Sequence, residues 1–167
     1  MFVEAKKFFK KSKSYLLNII QEPGNLSYYH PFCKRHEVIK WPGPNSVDEL
    51  EYLNGLILER TLFNWHKNGY DLTIGPKNKT KMAQVNWFVE GNDDISSLTS
   101  RVNPEIRYYT PFRNKFLQKL SWYIYVKPML QSYIITFLVV LNSLLIRMSW
   151  LNQINLESIY GFPRSTI

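Results

Sequence analysis

Two histidines and the chain's single cysteine lie within seven residues, and they form the densest group of side chains that could do chemistry. In the segment His30-Pro31-Phe32-Cys33-Lys34-Arg35-His36, the imidazole and thiol groups are of the kinds that bind zinc. Their spacing is not that of an established zinc motif, and the neighbouring lysine and arginine would repel a cation. We therefore interpret this segment as an ordered loop, and we predict no metal ligand and no cofactor.

A glycine- and lysine-containing segment, residues 75–80, has a composition that could bind phosphate. Its sequence, GPKNKT, lacks the pattern of a phosphate-binding loop, so we interpret it as a solvated basic turn. The acidic pairs Asp48/Glu49 and Asp93/Asp94 are accounted for by a helix start and by a loop. We therefore predict no catalytic residue, and we expect the chain not to be an enzyme.

The net charge of +8 and the pI of about 9.5 suit an anionic partner, which could be nucleic acid, a membrane surface or an acidic protein. Residues 6–13 and 101–119 interleave basic and aromatic side chains, which could contact RNA phosphates and bases. The same residues could equally lie on a membrane or a protein. We expect the membrane or protein partner and disfavour nucleic acid.

The chain is organised around residues 128–146, which carry no charged side chain and are flanked by Lys127 and Arg147. As a helix, this segment would be roughly 28 Å long, which is close to the hydrocarbon thickness of a bilayer. The pattern predicts a single-pass transmembrane helix near the C-terminus, followed by a short tail over residues 147–167.

The uncharged segment has two different faces. On a helical wheel its polar side chains fall on one side, which we call the polar arc: Gln131, Ser132, Thr136, Asn142 and Ser143. Polar side chains facing hydrocarbon would lack hydrogen-bond partners, so the polar arc is predicted to be a helix-packing face against another subunit. The remaining, apolar side is predicted to face lipid.

Residues 111–127 are predicted to form an amphipathic helix at the membrane surface, leading into the span. The predicted membrane-interface residues are the cations and aromatic side chains around the two ends of the span: Arg113, Lys115, Lys119, Trp122, Tyr123, Tyr125, Lys127, Arg147 and Trp150. More cations precede the span than follow it. The N-terminal part is therefore predicted to lie on the cytoplasm-equivalent side, which in a mitochondrion is the matrix.

The rest of the chain is predicted to be mainly α-helical. Residues 1–20 have the pattern of a basic amphipathic helix, and residues 21–110 contain a proline-rich extended segment, a helix over 46–67 and a β-hairpin over 70–90. Ser46 and Glu49 match a capping box at the start of the second helix. The predicted fold class is mainly α with a small hairpin and one transmembrane helix.

Many Tyr, Phe, Asn, Lys and Ile residues, with few Gly and Ala and one Cys, give the chain a distinctive composition. In this respect, and in its single predicted span, it resembles proteins encoded in the AT-rich mitochondrial genomes of divergent protists such as ciliates. That resemblance implies a lineage-specific subunit of a respiratory complex or of a mitochondrial ribosome. It identifies no specific family and implies no functional residue.

The predicted function is therefore a non-catalytic accessory subunit of a respiratory-chain complex in the mitochondrial inner membrane, either complex I or complex IV. Its predicted partners are other subunits of the membrane complex and membrane lipids. An alternative is a membrane-associated, RNA-contacting mitochondrial ribosomal protein, and a further alternative is a single-span assembly factor.

Overall fold

Seven antiparallel strands form one sheet, in the order β1-β7-β6-β5-β4-β3-β2. The computed structural model describes the backbone of residues 1–160 and the side chains of residues 1–151. The strands are β1 (Val3–Phe9), β2 (Cys33–Lys40), β3 (Ser46–Tyr52), β4 (Ile57–His66), β5 (Gly69–Gly75), β6 (Ala83–Gly91) and β7 (Ser96–Pro104). Strands β2 to β7 follow one another as hairpins, and β1 pairs with β7 at the edge.

Helices cover one face of this sheet. Helix α1 (Lys13–Gln21) and the short α2 (Leu26–Tyr29) connect β1 to β2. After β7 come a 3-10 turn (Ile106–Tyr108), α3 (Lys115–Ser121), a π-helical turn (Trp122–Val126) and the long α4 (Lys127–Tyr160). Residues 161–167, which belong to the predicted C-terminal tail, lie outside the described residues.

Side chains alternate between the two faces of the strands, as expected for a sheet that is covered on one side. On β7, Leu98, Ser100 and Val102 are buried, whereas Thr99 is partly exposed and Arg101 is exposed. The same alternation on β5 and β6 buries further residues, namely Tyr70, Leu72, Ala83, Trp87 and Val89. The inner face of strands β5 to β7 is therefore mostly apolar.

Helix α4 packs its apolar side on that surface. The buried side chains recur with helical spacing and are Leu130, Ile134, Phe137, Leu138, Leu141 and Leu145. Two hydrogen bonds hold the helix at this edge of the sheet: Gln131 Nε2 donates to the Glu4 carbonyl on β1 at 2.8 Å, and Lys11 Nζ, just after β1, donates to Ser149 Oγ. Helix α4 is therefore a core helix, and the prediction of a transmembrane span over 128–146 is wrong.

The predicted helix over residues 46–67 is replaced by the β3–β4 hairpin. Ser46 does not cap a helix, because its hydroxyl donates to the Gly43 carbonyl at 2.6 Å. Asp48 is buried, where it pairs with Arg60 directly across the hairpin. The turn between the two strands contains Gly55 with φ +82°, a conformation that glycine adopts readily.

Two further segments differ from the sequence-based expectations. Residues 1–20, expected to be one helix, contain β1 followed by most of α1, which Ser12 caps by accepting a hydrogen bond from the Tyr15 amide at 3.1 Å. The strands expected over residues 70–90 lie at β5 and β6, which pair as neighbours within the larger sheet. The fold is therefore α+β, and the prediction of a mainly α fold is wrong.

Two buried tyrosines, Tyr70 on β5 and Tyr29 at the end of α2, provide a test of this packing. The Tyr70 hydroxyl donates to the Ile20 carbonyl at 3.1 Å, whereas the buried Tyr29 hydroxyl has no hydrogen-bond partner among the described residues. Tyr70→Phe should lower the free energy of unfolding by about 1 kcal/mol, since it removes a hydrogen bond. Tyr29→Phe should leave it unchanged or raise it by about 1 kcal/mol, since it removes an unpaired polar group. Urea unfolding measures both, and equal destabilisation by the two substitutions would contradict this account.

Candidate functional site

A cavity of about 370 Å³ lies between the inner face of the sheet and the first turns of α4. Its wall is mostly apolar and combines side chains from α2, β3 to β7 and α4. The lining residues are Leu26, His30, Leu50, Tyr52, Asn54, Leu56, Leu58, Arg60, Leu72, Ile74, Met82, Ala83, Val85, Trp87, Ser100, Val102, Tyr109, Met129, Leu130, Tyr133, Ile134 and Phe137.

Small side chains on the sheet leave room for this cavity. Ala83, Val85, Ser100 and Val102 line it from β6 and β7, so the sheet does not fill the space beneath α4. At one end the lining residues Asn54, Leu56 and Met129 are exposed to solvent. The cavity therefore opens between the β3–β4 turn and the start of α4.

A buried cluster of charged and polar groups lies at the wall of the cavity on β2, β3 and β4; we call it the ion cluster and define it as His36, Asp48 and Arg60. Arg60 Nε and Nη2 donate to the two carboxylate oxygens of Asp48, each at 2.6 Å. His36 Nδ1 accepts a hydrogen bond from the Leu26 amide at 3.2 Å, so the ring proton is on Nε2, 3.1 Å from Asp48 Oδ2. Arg60 Nη2 and His36 Nε2, which lie 3.3 Å apart, thus both donate to the same oxygen, Asp48 Oδ2.

The carboxylate and the guanidinium of the ion cluster neutralise each other. Burial alone would raise the pKa of Asp48, but the charge and hydrogen bonds of Arg60 and the hydrogen bond from His36 outweigh it and lower the pKa to about 2. Burial alone would lower the pKa of Arg60, but the adjacent Asp48 carboxylate raises it above its usual value. The pair therefore remains ionised, with no net charge.

A second polar group lines the cavity; we call it the hydroxyl cluster and define it as His30 just after α2, Tyr52 at the end of β3 and Tyr133 on α4. His30 Nε2 lies 2.6 Å from the Tyr133 hydroxyl, which in turn lies 3.4 Å from the Tyr52 hydroxyl. Burial, followed by the charge of Arg60, lowers the pKa of His30 to about 4. Burial raises the pKa of both tyrosines. All three groups are therefore uncharged near neutral pH.

The structure separates the three residues that were considered together as metal ligands. His30 belongs to the hydroxyl cluster, His36 to the ion cluster, and Cys33 begins β2 as a partly buried free thiol. Arg60, Tyr52 and Trp87 were missed as site residues. The sequence signal was weak, because Leu58 and Leu62 fit the alternation of a strand but Arg60 between them interrupts it; only the structure shows that Arg60 is buried on the same face.

The residues of the predicted polar arc lie mostly on the outer side of α4. Ser132 and Ser143 are exposed, Thr136 and Asn142 are partly exposed, and Gln131 donates a hydrogen bond to the Glu4 carbonyl on β1. Of the predicted membrane-interface residues, Trp122 is buried and the other eight are exposed: Arg113, Lys115, Lys119, Tyr123, Tyr125, Lys127, Arg147 and Trp150. Contact of the polar arc with a protein partner, and of the exposed residues with lipid, stays a prediction.

No protein-family model matches the sequence, and no curated protein is similar to it in sequence. Solved structures do resemble the fold. TTHA0849 from Thermus thermophilus superposes with a TM-score of 0.67 at 11% identity, over 89% of this chain and 99% of that one. A START superfamily protein from Mycobacterium smegmatis superposes with a TM-score of 0.60 at 11% identity, over 88% of this chain and 98% of that one. The chain therefore shares the helix-grip fold of these structures.

A more distant match to this helix-grip fold is Zhui aromatase/cyclase from a Streptomyces species, with a TM-score of 0.50 at 11% identity over 61% of this chain and 66% of that one. At these identities the matches establish the architecture, in which an antiparallel sheet wraps around a long C-terminal helix. The helix is apolar because the sheet covers one side of it.

The helix-grip fold overturns the functional predictions that depended on a membrane span. The compositional resemblance to protist mitochondrial proteins was misleading, because the apolar segment that supported it is a core helix. The predictions that depended on the span are therefore wrong: the respiratory accessory subunit, its ribosomal alternative, the assembly factor and the inner-membrane location with a matrix-facing N-terminal part.

The lowered pKa of His30 predicts a pH-dependent stability. His30 titrates near 6.5 when unfolded and near 4 when folded, where Arg60, His36 and the two tyrosines surround it. Its neutral form therefore contributes roughly 3 kcal/mol to the free energy of unfolding above about pH 6.5, and this contribution is lost as the pH falls towards 4. Urea unfolding across this range should show the loss in the wild type but not in His30→Gln. His66→Gln is the control and should lose stability with falling pH as the wild type does. An unchanged dependence of the unfolding free energy on pH in His30→Gln would refute the assignment of this loss to His30.

Proposed function

We propose that this protein binds a small apolar ligand in the cavity between the sheet and α4. The cavity itself is the observation that supports this. A volume of about 370 Å³ is within the range of small-molecule sites, and so is a wall of apolar and aromatic side chains with a few polar groups. The exposed lining residues at one end provide an entrance.

We further propose that the protein acts by binding, without chemistry of its own. The ionisable groups on the cavity wall support this, because Arg60 is engaged by Asp48 and His30 is uncharged near neutral pH. Similar folds serve different functions, so the aromatase/cyclase activity named for one structural match is not carried over to this chain.

Binding can be measured with the neutral naphthalene dye prodan, whose emission shifts to the blue in apolar surroundings. We expect saturable binding of one dye per chain. Ser100→Phe should weaken it by about tenfold or more, because the side chain of Ser100 lines the cavity and the added ring would occupy the ligand's space.

Thr99→Phe is the matched control, since Thr99 precedes Ser100 on β7 and its side chain points to the other face of the sheet. It should bind prodan as the wild type does. Circular dichroism must show that both variants fold. Equal loss in both variants, or no saturable binding by the folded wild type, would contradict the proposed function.

A further inference from the structure

The hydroxyl cluster has a fixed direction of hydrogen bonding. The Phe32 amide donates to His30 Nδ1 at 3.2 Å, so Nδ1 carries no proton and the neutral ring is protonated at Nε2. His30 Nε2 then donates to the Tyr133 hydroxyl at 2.6 Å. The proton of the Tyr133 hydroxyl therefore points away from His30, towards Tyr52 or into the cavity.

This arrangement leaves donors available at the polar end of the cavity. The Tyr133–Tyr52 oxygen separation of 3.4 Å is long for a hydrogen bond between hydroxyls. A ligand oxygen placed between the two tyrosines could therefore accept a shorter hydrogen bond than they make with each other. The site thus favours a ligand group that accepts hydrogen bonds.

The charges near the hydroxyl cluster favour an uncharged group. The cation on the cavity wall, Arg60, is held by both oxygens of Asp48. A ligand carboxylate would lose its hydration and meet a pair whose charges cancel, and a ligand ammonium would meet the same pair.

We propose that the cavity selects an uncharged apolar ligand whose oxygen, as in a ketone, an ester or an ether, accepts hydrogen bonds from Tyr133 and Tyr52. This inference rests on the proposed binding function. It excludes fatty acids and amines as preferred ligands, and it assigns recognition to two hydroxyls that are far apart in the sequence.

Three naphthalenes of nearly the same shape separate the possibilities: acetylnaphthalene, isopropylnaphthalene and naphthoate, each substituted at the same ring position. Their affinities are measured by displacement of prodan at neutral pH, using each variant's own prodan affinity. The ketone should bind about tenfold more tightly than either the hydrocarbon or the carboxylate. In Tyr133→Phe the ketone's advantage over the hydrocarbon should fall by about five- to tenfold.

Tyr29→Phe is the matched control, since Tyr29 is also buried but does not line the cavity; it should keep the ketone's advantage. Tightest binding by naphthoate would overturn the proposal and would indicate that Arg60 anchors the ligand. Equal binding of the three compounds would overturn it as well. In either case saturable prodan binding would still support the proposed binding function. A failure of the selectivity proposal can therefore be told apart from a failure of the binding function.

A separate observation concerns the surface formed by residues 112–125, which precedes α4. Its large side chains are exposed, with Phe116 at 72% and Ile124 at 70%, and we call them the docking patch: Phe112, Phe116, Leu117, Leu120, Tyr123, Ile124 and Tyr125. Contiguous exposed apolar surface of this kind marks interaction sites. The structure therefore leaves a second apolar surface, outside the cavity, without a cover among the described residues.

The charge around the docking patch points to the kind of partner. Arg113, Lys115, Lys119 and Lys127 lie in or beside it, and the sequence has no acidic residue between Glu105 and Glu157. Apolar side chains flanked by cations match the two components of an anionic bilayer surface, which are the acyl boundary and the negatively charged headgroups. We infer that the docking patch binds peripherally to membranes containing anionic lipids, without any segment crossing them.

Co-sedimentation with vesicles tests this inference on the full chain. Vesicles containing one quarter phosphatidylglycerol should retain the protein, and pure phosphatidylcholine vesicles should retain about tenfold less. The double variant Phe116→Ser/Ile124→Ser should lose binding. Phe8→Ser/Ile39→Ser should keep it, because it removes the same residue types at similar exposures, 67% and 54%, from the sheet.

Three results would overturn the docking inference. Equal retention by both kinds of vesicle would show that the cations do not contribute, and equal loss in both double variants would show that the patch is not the contact. A wild-type dimer that Phe116→Ser/Ile124→Ser converts to a monomer, measured by sedimentation velocity, would assign the patch to a second copy of the chain.

Discussion

The apolar side of α4 and the inner face of the sheet depend on each other for burial. The helix cannot bury its own apolar side chains, and Ile134, Leu138 and Leu141 are covered by elements from distant parts of the sequence. Hydrogen bonds from Gln131 to β1 and from Lys11 to Ser149 hold α4 along one edge of the sheet. The helix can therefore pass over the small residues of β6 and β7 without collapsing onto them, and this leaves the cavity.

The same dependence explains what could be predicted from the sequence. A helix over the segment 128–146 and the strands of the hairpin at 70–90 follow from local patterns, and the structure has helix and strands there. Whether lipid or protein surrounds the helix does not follow from these patterns, because a transmembrane helix and a core helix can have the same length and hydropathy. What separates them is whether the rest of the chain supplies a cover, and here the cover is a sheet whose strands were largely unrecognised.

The β3–β4 hairpin shows why those strands were missed. Leu50, Leu58 and Leu62 are spaced in a way that also fits a helix, and a buried Arg60 interrupts the alternation that would indicate a strand. Only the pairing of the two strands places Asp48 opposite Arg60 and makes the charge tolerable. Removing one partner of such a pair would leave an uncompensated buried charge, which costs several kcal/mol. The cavity wall could not be predicted before this pairing was known.

The ion cluster and the hydroxyl cluster together determine the electrostatics of the cavity. Because Asp48 cancels the charge of Arg60, no net charge at the wall attracts a charged ligand. Because the Phe32 amide fixes the protonation of His30, the hydroxyl of Tyr133 accepts from His30 and keeps its own proton for another acceptor. Reversing that direction would require His30 to give up the bond from the backbone, which is costly in a buried site. The Phe32 backbone amide, which lies outside the cavity wall, thereby determines that Tyr133 offers a ligand a hydrogen-bond donor.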